Sequence, residues 1–416
     1  MSDRPHADAS HSRPAALHAS SLWLPAGHSW NRLPTIGVML AVVGLGGWAL
    51  GFASEGARHQ LWYAWLVGAL FVLSIALGAL FFVLIHHATQ AGWSVVVRRI
   101  AEHVMGTLPY LALLFALPVL FGGMGDLFHW SHKEVVDLDP LLQHKKPYLK
   151  VSFFLIRTAV YFVVWSALAW WFRRLSRLQD ETGDHELTRR MRRVSAPSLI
   201  LFALTVTFFA FDWLMSLDPH WYSTIFGVYF FAGSAMAFFA FLSLAVIAAR
   251  RAGLLVEVLN AEHQHDIGKL LFTFVAFWAY MAFSQYMLIW YATLPEETIF
   301  FARRLAGSWG TASAVLALGH FIVPFFFLLP RAVKRNDKAL AAAAVWLLAM
   351  HLLDLYWLVM PNLPDLHLGY NLLLVAAALI CCGGVFLAAF GGALKRQALV
   401  PLRDPRLPES LTFENV

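Results

Sequence analysis

Ten stretches of about 20 or more mostly apolar residues recur along this chain, and they constrain its fold more than any other feature. A helix needs about 20 such residues to cross the hydrocarbon core of a bilayer, where its backbone groups must be satisfied internally. Hydrophobic residues make up 59% of the chain and charged residues only 13%, against about 25% charged in a soluble domain. The sequence therefore predicts an all-α polytopic membrane protein with spans at about 34–52, 61–85, 104–122, 151–171, 197–217, 224–249, 269–292, 308–329, 339–360 and 369–394.

The polar ends of the chain set the expected domain organisation. Residues 1–33 are polar and contain four irregularly spaced histidines, a composition that cannot form a core. We predict a disordered cytoplasmic N-terminal tail over 1–33, a ten-helix transmembrane domain over 34–396 and a cytoplasmic C-terminal tail over 397–416.

The distribution of basic residues predicts the orientation. Of the 31 Lys and Arg residues, 23 fall in the segments on the side of the N-terminus, seven fall on the other side and Arg157 lies within a span. Cytoplasmic segments of membrane proteins carry the excess of Lys and Arg. We therefore expect both termini in the cytoplasm, and we do not interpret the net charge of +6 as a sign of nucleic-acid binding.

Metal-bound cofactors are not expected within this chain. Its two cysteines, Cys381 and Cys382, are adjacent in an apolar stretch. Iron–sulfur, zinc and c-type haem sites need cysteines or cysteine–histidine clusters at characteristic spacings. The sequence contains none, so we predict no metal site and no covalently bound cofactor.

Two ionisable residues one helical turn apart, His351 and Asp354, lie inside the ninth stretch. A charged side chain at the centre of a bilayer costs at least about 2.5 kcal/mol, so an intramembrane Asp is a functional-site hypothesis. A histidine beside it can share its proton. The alternative is that the two side chains only satisfy each other or a neighbouring helix.

Other polar residues are expected near this pair, at mid-depth or in the outer half of the membrane: Arg157, Asp212, Gln285, His320 and Tyr356. The inner half is expected to hold little that ionises beyond Glu102 and His103. A cluster of polar residues near one membrane surface could bind a quinol headgroup, because the two quinol hydroxyls need hydrogen-bond acceptors and quinol oxidation releases two protons. The same cluster would also suit the outer end of a proton path.

Two further interpretations stay open. His320 and His351 lie at similar depth on neighbouring spans and would suit a haem, although b-type cytochromes present histidines that face each other across a bundle. Ten spans also suit a stand-alone secondary transporter. The prolines at 109, 118 and 324 do not, however, form the matched pair of helix breaks that such folds use.

Several longer strings resemble a known family. These are the stretches 211–233 and 283–297, His320-Phe-Ile-Val-Pro324-Phe and His351 to Pro361. Together they resemble the NrfD-like, polysulfide-reductase-type membrane subunits of alternative complex III, a bacterial quinol:electron-acceptor oxidoreductase. The second of its two such subunits is the more similar, and the likeness runs through all ten spans.

This resemblance implies two four-helix bundles with two flanking helices in the bacterial inner membrane. It implies a sister NrfD-like subunit as a partner, with iron–sulfur and multihaem c-type cytochrome subunits on the outer side. Electrons would pass from quinol through those partners to a cytochrome c or a terminal oxidase. This chain would contribute a site for quinone or menaquinone, or a proton route, and would not be an enzyme alone. The loops 123–150 and 293–307 are candidate docking surfaces.

Overall fold

The computed structural model describes residues 22–53, 58–363, 366 and 368–415, and the parts of the chain that it describes contain helices and no strand. Ten helices are long and apolar enough to cross a membrane, as predicted. We number them α1 to α10: Ser29–Ala53, His59–Ala88, Val95–Leu120, Val151–Thr182, His185–Leu217, Phe226–Arg251, Ala261–Ala292, Gly307–Leu328, Asp337–Asn362 and Leu368–Arg396. The chain is therefore a multi-pass membrane protein.

The helices pack as two four-helix bundles and a flanking pair, which confirms the predicted architecture. In the first bundle α2 contacts α3 and α5, and α4 lies between those two. In the second, α6 contacts α7 and α9, and α8 closes the ring. Helix α2 also packs on α6 and α9 and so joins the bundles, while α1 and α10 pair beside α2 and α3.

The two ends of the bundle carry different segments. The terminal face carries the first and last described segments of the chain and the turns at 89–94, 183–184, 252–260 and 329–336. The distal face carries the loops 121–150, 218–225 and 293–306. Two of these distal loops contain short helices, which span Gly123–Leu127, Lys133–Leu138, Pro140–Lys145 and Pro295–Leu305.

Small residues allow α1 and α10 to pack backbone against backbone. A Cβ added to Gly384 would lie 2.3 Å from the backbone nitrogen of Ala41, and one added to Gly44 would lie 2.3 Å from that of Cys381. Membrane helices have no hydrophobic force to hold them together, so van der Waals contact between small residues takes its place. The flanking pair therefore depends on glycine at these positions.

We expect Gly384→Val to separate α1 from α10 and to destabilise the protein by about 1–3 kcal/mol, as overpacking does in other cores. Thermal unfolding in detergent, followed by size-exclusion chromatography, measures this loss. Gly383→Val is the matched control, because a Cβ at Gly383 meets nothing within 4 Å. Equal melting temperatures for the two variants would contradict this account of the pair.

A part of the predicted disordered tail is folded. Residues 1–21 lie outside the described residues, but Leu22 is buried and accepts a hydrogen bond from the backbone of Leu399. The side chain of His28 reaches the carbonyl of Ala252. The predicted boundary at residue 33 is therefore too late, because an apolar Leu22 anchors this segment on the terminal face.

The C-terminal segment 397–415 also folds back onto the terminal face. The carboxylate of Asp404 pairs with Arg98, and the backbone of Leu402 donates to Asp180 at 2.8 Å. Burial alone raises the pKa of the Asp404 carboxyl. The charge of Arg98 and the N–H of Arg406 outweigh burial and hold that pKa below its ordinary value. This ion pair fastens the segment to α3.

The pKa of Asp404 is lower in the folded protein than in the unfolded chain. Its contribution to folding stability is therefore complete above the ordinary Asp pKa and is lost only as pH falls through the lowered value. We expect attachment of the C-terminal segment to be unchanged between about pH 5 and pH 8. Asp404→Asn should instead speed proteolytic cleavage within 397–415 at neutral pH. Glu409→Gln, which changes an exposed pair with Arg406, should leave cleavage unchanged.

Candidate functional site

Asp354 is buried in α9 and is held by side chains from two other helices. The hydroxyl of Tyr229 on α6 donates to Oδ1, and the indole N–H of Trp278 on α7 donates to Oδ2 at 3.2 Å. Only 2% of Asp354 is exposed. No Lys, Arg or His among the described residues forms an ion pair with it. A carboxyl group with neutral donors and no cationic partner is suited to gain and lose a proton.

No hydrogen bond joins His351 to Asp354, and each side chain instead has its partners on neighbouring helices. The Nε2 of His351 lies 2.9 Å from the hydroxyl of Ser74 on α2, and that hydroxyl donates its own proton to the carbonyl of Phe71. Nε2 must therefore donate to Ser74, which leaves Nδ1 as the acceptor of a neutral ring. Nδ1 is buried without a hydrogen-bond partner, so each residue of the pair faces its own surroundings.

Gly233 makes room for this histidine. A Cβ at Gly233 would lie 3.1 Å from Cε1 and 3.2 Å from Nδ1 of His351. The bare backbone of α6 thus borders the unpartnered side of the imidazole. Local sequence could not reveal this arrangement, because it depends on how α6 is rotated against α9.

A cavity of about 540 Å³ opens next to Asp354, between α7 and α8. Tyr229 and Trp278, the two donors to Asp354, form part of its wall. Aromatic and apolar side chains make up most of the rest, including Tyr280, Phe283, Tyr286, Phe301, Phe321 and Trp357. Its size lies within the range of small-molecule sites, about 300–1,000 Å³. Tyr280 and Phe283 are more than half exposed, so the mouth faces the lipid.

Two of the predicted site residues border this cavity or lie next to it. Gln285 lines the cavity, and its Oε1 accepts a hydrogen bond from Ser223 at 3.3 Å. Tyr356 is buried behind the neighbouring Trp357 and packs against Trp309, with its hydroxyl unpartnered. Gln285 is therefore placed to contact a ligand, whereas Tyr356 is not part of the wall.

His320 belongs to the same bundle but is enclosed by side chains. Its ring lies 3.8 Å from that of Trp278, and its Nε2 faces the sulfur of Met236 at 3.1 Å. The rings of His320 and His351 are 6.5 Å apart and inclined by 57°. The Nε2 atoms of the two rings face Met236 and Ser74, not a common point. This geometry does not fit a haem held between them.

The helix that carries His320 is irregular at this depth. Residues Ala317–Ile322 form a π-helical turn within α8, directly before Pro324. Such turns are rare and occur often at functional sites. Here the wider turn places Ala317, Phe321 and Ile322 in the cavity wall.

Arg157 and Asp212 form a separate site in the first bundle. The guanidinium of Arg157 donates to both carboxylate oxygens of Asp212 at 2.8 Å, and Tyr161 donates to the same carboxylate at 2.7 Å. Arg157 also binds the carbonyl of Tyr148 in the distal loop. The prediction that this pair belongs to the cluster around Asp354 is wrong, because all of these partners lie in α4, α5 and the distal loop.

A further set of buried charged residues lies near the terminal face. Near the terminal face, Arg98, Arg99, Glu102 and His103 of α3 are at most 4% exposed. Arg99 pairs with Glu102 at 3.3 Å and with Asp180 of α4 at 2.5 Å. Glu102 and His103 are therefore buried within the protein, since α4 and the C-terminal segment cover this part of α3.

A buried arginine lies beside the cavity residues Phe301 and Leu305. Arg304, at the end of the helix Pro295–Leu305, donates to the carbonyls of Trp357 and Leu358 at 3.2 and 2.8 Å. Its guanidinium also stacks on Phe300. Carbonyls at the end of α9 have no helical partner, so this arginine satisfies them and holds Phe301 and Leu305 against the cavity.

Sequence reasoning named Asp354 but missed Tyr229 and Ser74. Tyr229 lies within the longest of the familiar strings, 211–233, which was the one available signal for it. Ser74 stands alone in an apolar stretch and gave no signal. Trp221 is buried against Phe300, whose ring lies 3.9 Å away, because the helix Pro295–Leu305 folds over it.

The fold and the site together define a ten-helix membrane protein with a buried carboxyl group beside a lipid-facing aromatic cavity. Among the described residues, no group of three or more His, Cys, Asp and Glu side chains is arranged to hold a metal ion. No protein-family model matches the chain, and no curated protein matches it.

Proposed function

We propose that this chain is a membrane subunit of a bacterial respiratory quinol:electron-acceptor oxidoreductase of the alternative complex III type. In this proposal it binds the quinol headgroup in the cavity between α7 and α8. Both termini face the cytoplasm, and the distal face meets iron–sulfur and multihaem cytochrome subunits, with a sister NrfD-like subunit beside it in the membrane. The resemblance of the strings 211–233 and 283–297 supports the family.

The observation that carries the proposal is the contact between Asp354 and two side chains of the cavity wall. Tyr229 and Trp278 border the cavity and donate to the carboxyl group behind it. The other wall residues are mainly aromatic and apolar, and the mouth faces lipid. A quinol fits such a site, because its planar ring can pack against the aromatic wall while its isoprenoid tail extends through the mouth into lipid.

The chemistry assigned to this chain is proton transfer. The hydroxyl of Tyr229 can accept a hydrogen bond from a quinol hydroxyl while it donates to Asp354. A proton then passes from the quinol to Tyr229, and the proton of Tyr229 passes to the Asp354 carboxylate. The electrons leave through the redox centres of the partner subunits. Gln285 is placed to orient a second oxygen of the headgroup, whereas Arg157 and Asp212 have no part in this step.

Quinone retention tests the proposal. The tagged protein is purified with its partners in mild detergent, and quinone per protein is measured in the lipid extract, together with the haem spectrum. We expect c-type haem and about one quinone per site in the wild type, and loss of quinone in Ala279→Phe, which fills the cavity. Ala203→Phe on the lipid-facing side of α5 is the control. A colourless protein that purifies alone would overturn the respiratory assignment.

The second candidate function is proton conduction within the same complex without bound quinone. It is favoured by the buried Nδ1 atoms of His320 and His351, which have no hydrogen-bond partner among the described residues. In that case Ala279→Phe would leave the quinone content of the complex and its quinol oxidation unchanged. Substitution of His351 would then alter proton release per electron, which a pH-indicator assay measures.

A further inference from the structure

A second groove, outside the second bundle and unused by the proposed function, runs along the surface between the α1–α10 pair and helices α3 and α4. Its volume is about 790 Å³. Apolar and small residues line most of its length, among them Val38, Leu45, Leu113, Leu117 and Ala389. It begins near the terminal face at Pro34 and reaches Leu45 deep in the membrane.

Three arginines surround the terminal end of this groove: Arg173 and Arg177 of α4, and Arg396 of α10. Within the described part of the chain, none of them forms an ion pair with a carboxylate. The nearby Glu102 is already engaged by Arg98, Arg99 and Ser176. Three guanidinium groups next to an apolar groove thus have no carboxylate within ion-pair distance among the described residues, although the charge of Glu102 acts on Arg173.

The arginine deepest in the groove is fixed by packing. The guanidinium of Arg173 lies against Gly106, where an added Cβ would be 2.2 Å from Nη1. Its Nε is buried and has no hydrogen-bond partner. A glycine therefore makes room for a buried donor that no described residue satisfies, and such a donor is destabilising unless a partner binds it.

A second unsatisfied group lies at the same end. Gln397 lines the groove, is only 8% exposed, and its Oε1 has no hydrogen-bond partner. The groove thus offers one acceptor beside several donors. A phosphate diester that carries a glycerol headgroup can pair with both kinds of group. Its phosphate oxygens accept from the guanidinium groups, and its glycerol hydroxyls donate to the acceptor.

The dimensions fit one leaflet of a bilayer. Pro34 and Leu45 are separated by 11 residues on α1, or about 16 Å along the helix axis. Half of the hydrocarbon core is about 15 Å thick. An acyl chain whose headgroup lies at Arg173 and Arg396 would therefore lie along α1 and end near the midplane.

We propose that this groove is a specific site for one anionic glycerophospholipid from the leaflet at the terminal face. Arg173, Arg177 and Arg396 hold its phosphate, Gln397 accepts from its headgroup glycerol, and one acyl chain fills the space between α1, α3 and α10. Basic pockets between membrane helices bind anionic lipid headgroups in this way. A transmembrane helix of another protein would need carboxylates at this depth to replace the phosphate.

The test is native mass spectrometry of the full chain, purified and delipidated by detergent exchange. Dioleoyl phosphatidylglycerol and dioleoyl phosphatidylcholine are added separately as probes. We expect the wild type to bind one phosphatidylglycerol at least tenfold more tightly than phosphatidylcholine. The triple variant Arg173→Gln, Arg177→Gln, Arg396→Gln should lose this preference. The matched control carries Arg189→Gln, Arg190→Gln and Arg193→Gln on the same face, where the side chains of Arg189 and Arg193 are 71% and 74% exposed, and should keep it.

Ala389→Phe supplies an independent variant if the triple variant fails to fold, because it fills the groove without changing the charge. It should weaken phosphatidylglycerol binding by a similar factor. Equal affinity for the two lipids, or equal losses in the triple variant and its control, would overturn the proposal. So would displacement of the lipid by millimolar inorganic phosphate, which would indicate a free-anion site, or density for a protein helix in the groove of the native complex.

Discussion

Replacing Asp354 by Asn is expected to lower quinol oxidation by the assembled complex by about 100-fold or more. The substitution keeps the shape of the side chain but removes the ability to accept a proton. The amide has a single acceptor oxygen, so it also keeps only one of the hydrogen bonds from Tyr229 and Trp278. A positioned general base contributes about 10²–10⁴-fold to a reaction that it serves. Turnover with a quinol analogue, normalised to haem content, measures the effect.

The control for this experiment is Asp337→Asn, the same substitution in the first turn of the same helix. Asp337 is part-exposed and lies 3.5 Å from Arg250 at the terminal face, remote from the cavity. Tyr229→Phe should give a smaller loss, since Asp354 remains while its relay to the cavity is cut. Wild-type turnover of the fully assembled Asp354→Asn complex would exclude Asp354 as the proton acceptor.

The second large effect concerns stability. Arg157→Met should destabilise the protein by about 3–5 kcal/mol, because it leaves the fully buried carboxylate of Asp212 without its cation. Tyr161 still donates one hydrogen bond, but one neutral donor does not replace a bidentate guanidinium. The contact of Arg157 with the carbonyl of Tyr148 is lost as well, which loosens the distal loop. Unfolding by a denaturing detergent measures the change.

A double variant separates the ion pair from the packing of the arginine. Arg157→Met with Asp212→Asn removes both charges, so it should recover a large part of the lost stability. Arg189→Met is the control, since Arg189 pairs with Glu186 on the exposed surface, where such pairs contribute at most about 1 kcal/mol. If Arg157→Met melts at the same temperature as this control, the pair does not stabilise the first bundle.

The sequence predicted the ten helices because each is a long apolar stretch with polar ends, and that signal is local. It also predicted that Asp354 lies inside one of these helices, since that position is read directly from the apolar stretch around it. It could not predict rotation about the helix axes. Arg157 and Asp212 were therefore placed with Asp354 by depth alone, although they face each other in the other bundle.

Two other differences have the same origin, since each depends on a segment that is distant in sequence. Glu102 is buried because Asp180 of α4 and the C-terminal segment around Asp404 fold over its charged stretch. Tyr229 and Trp278 became visible as partners of Asp354 only through the packing of α6 and α7 on α9. Such contacts leave no trace in local periodicity.

The most direct test of the central claim is infrared difference spectroscopy of the purified complex on addition of a quinol analogue. The claim is that Asp354 exchanges a proton with a ligand in the cavity between α7 and α8. We predict a change in the carboxyl stretching region that is absent in Asp354→Asn and in Ala279→Phe and retained in Asp337→Asn. The same change in Asp354→Asn, or no change in the wild type when the analogue is bound, would contradict the claim.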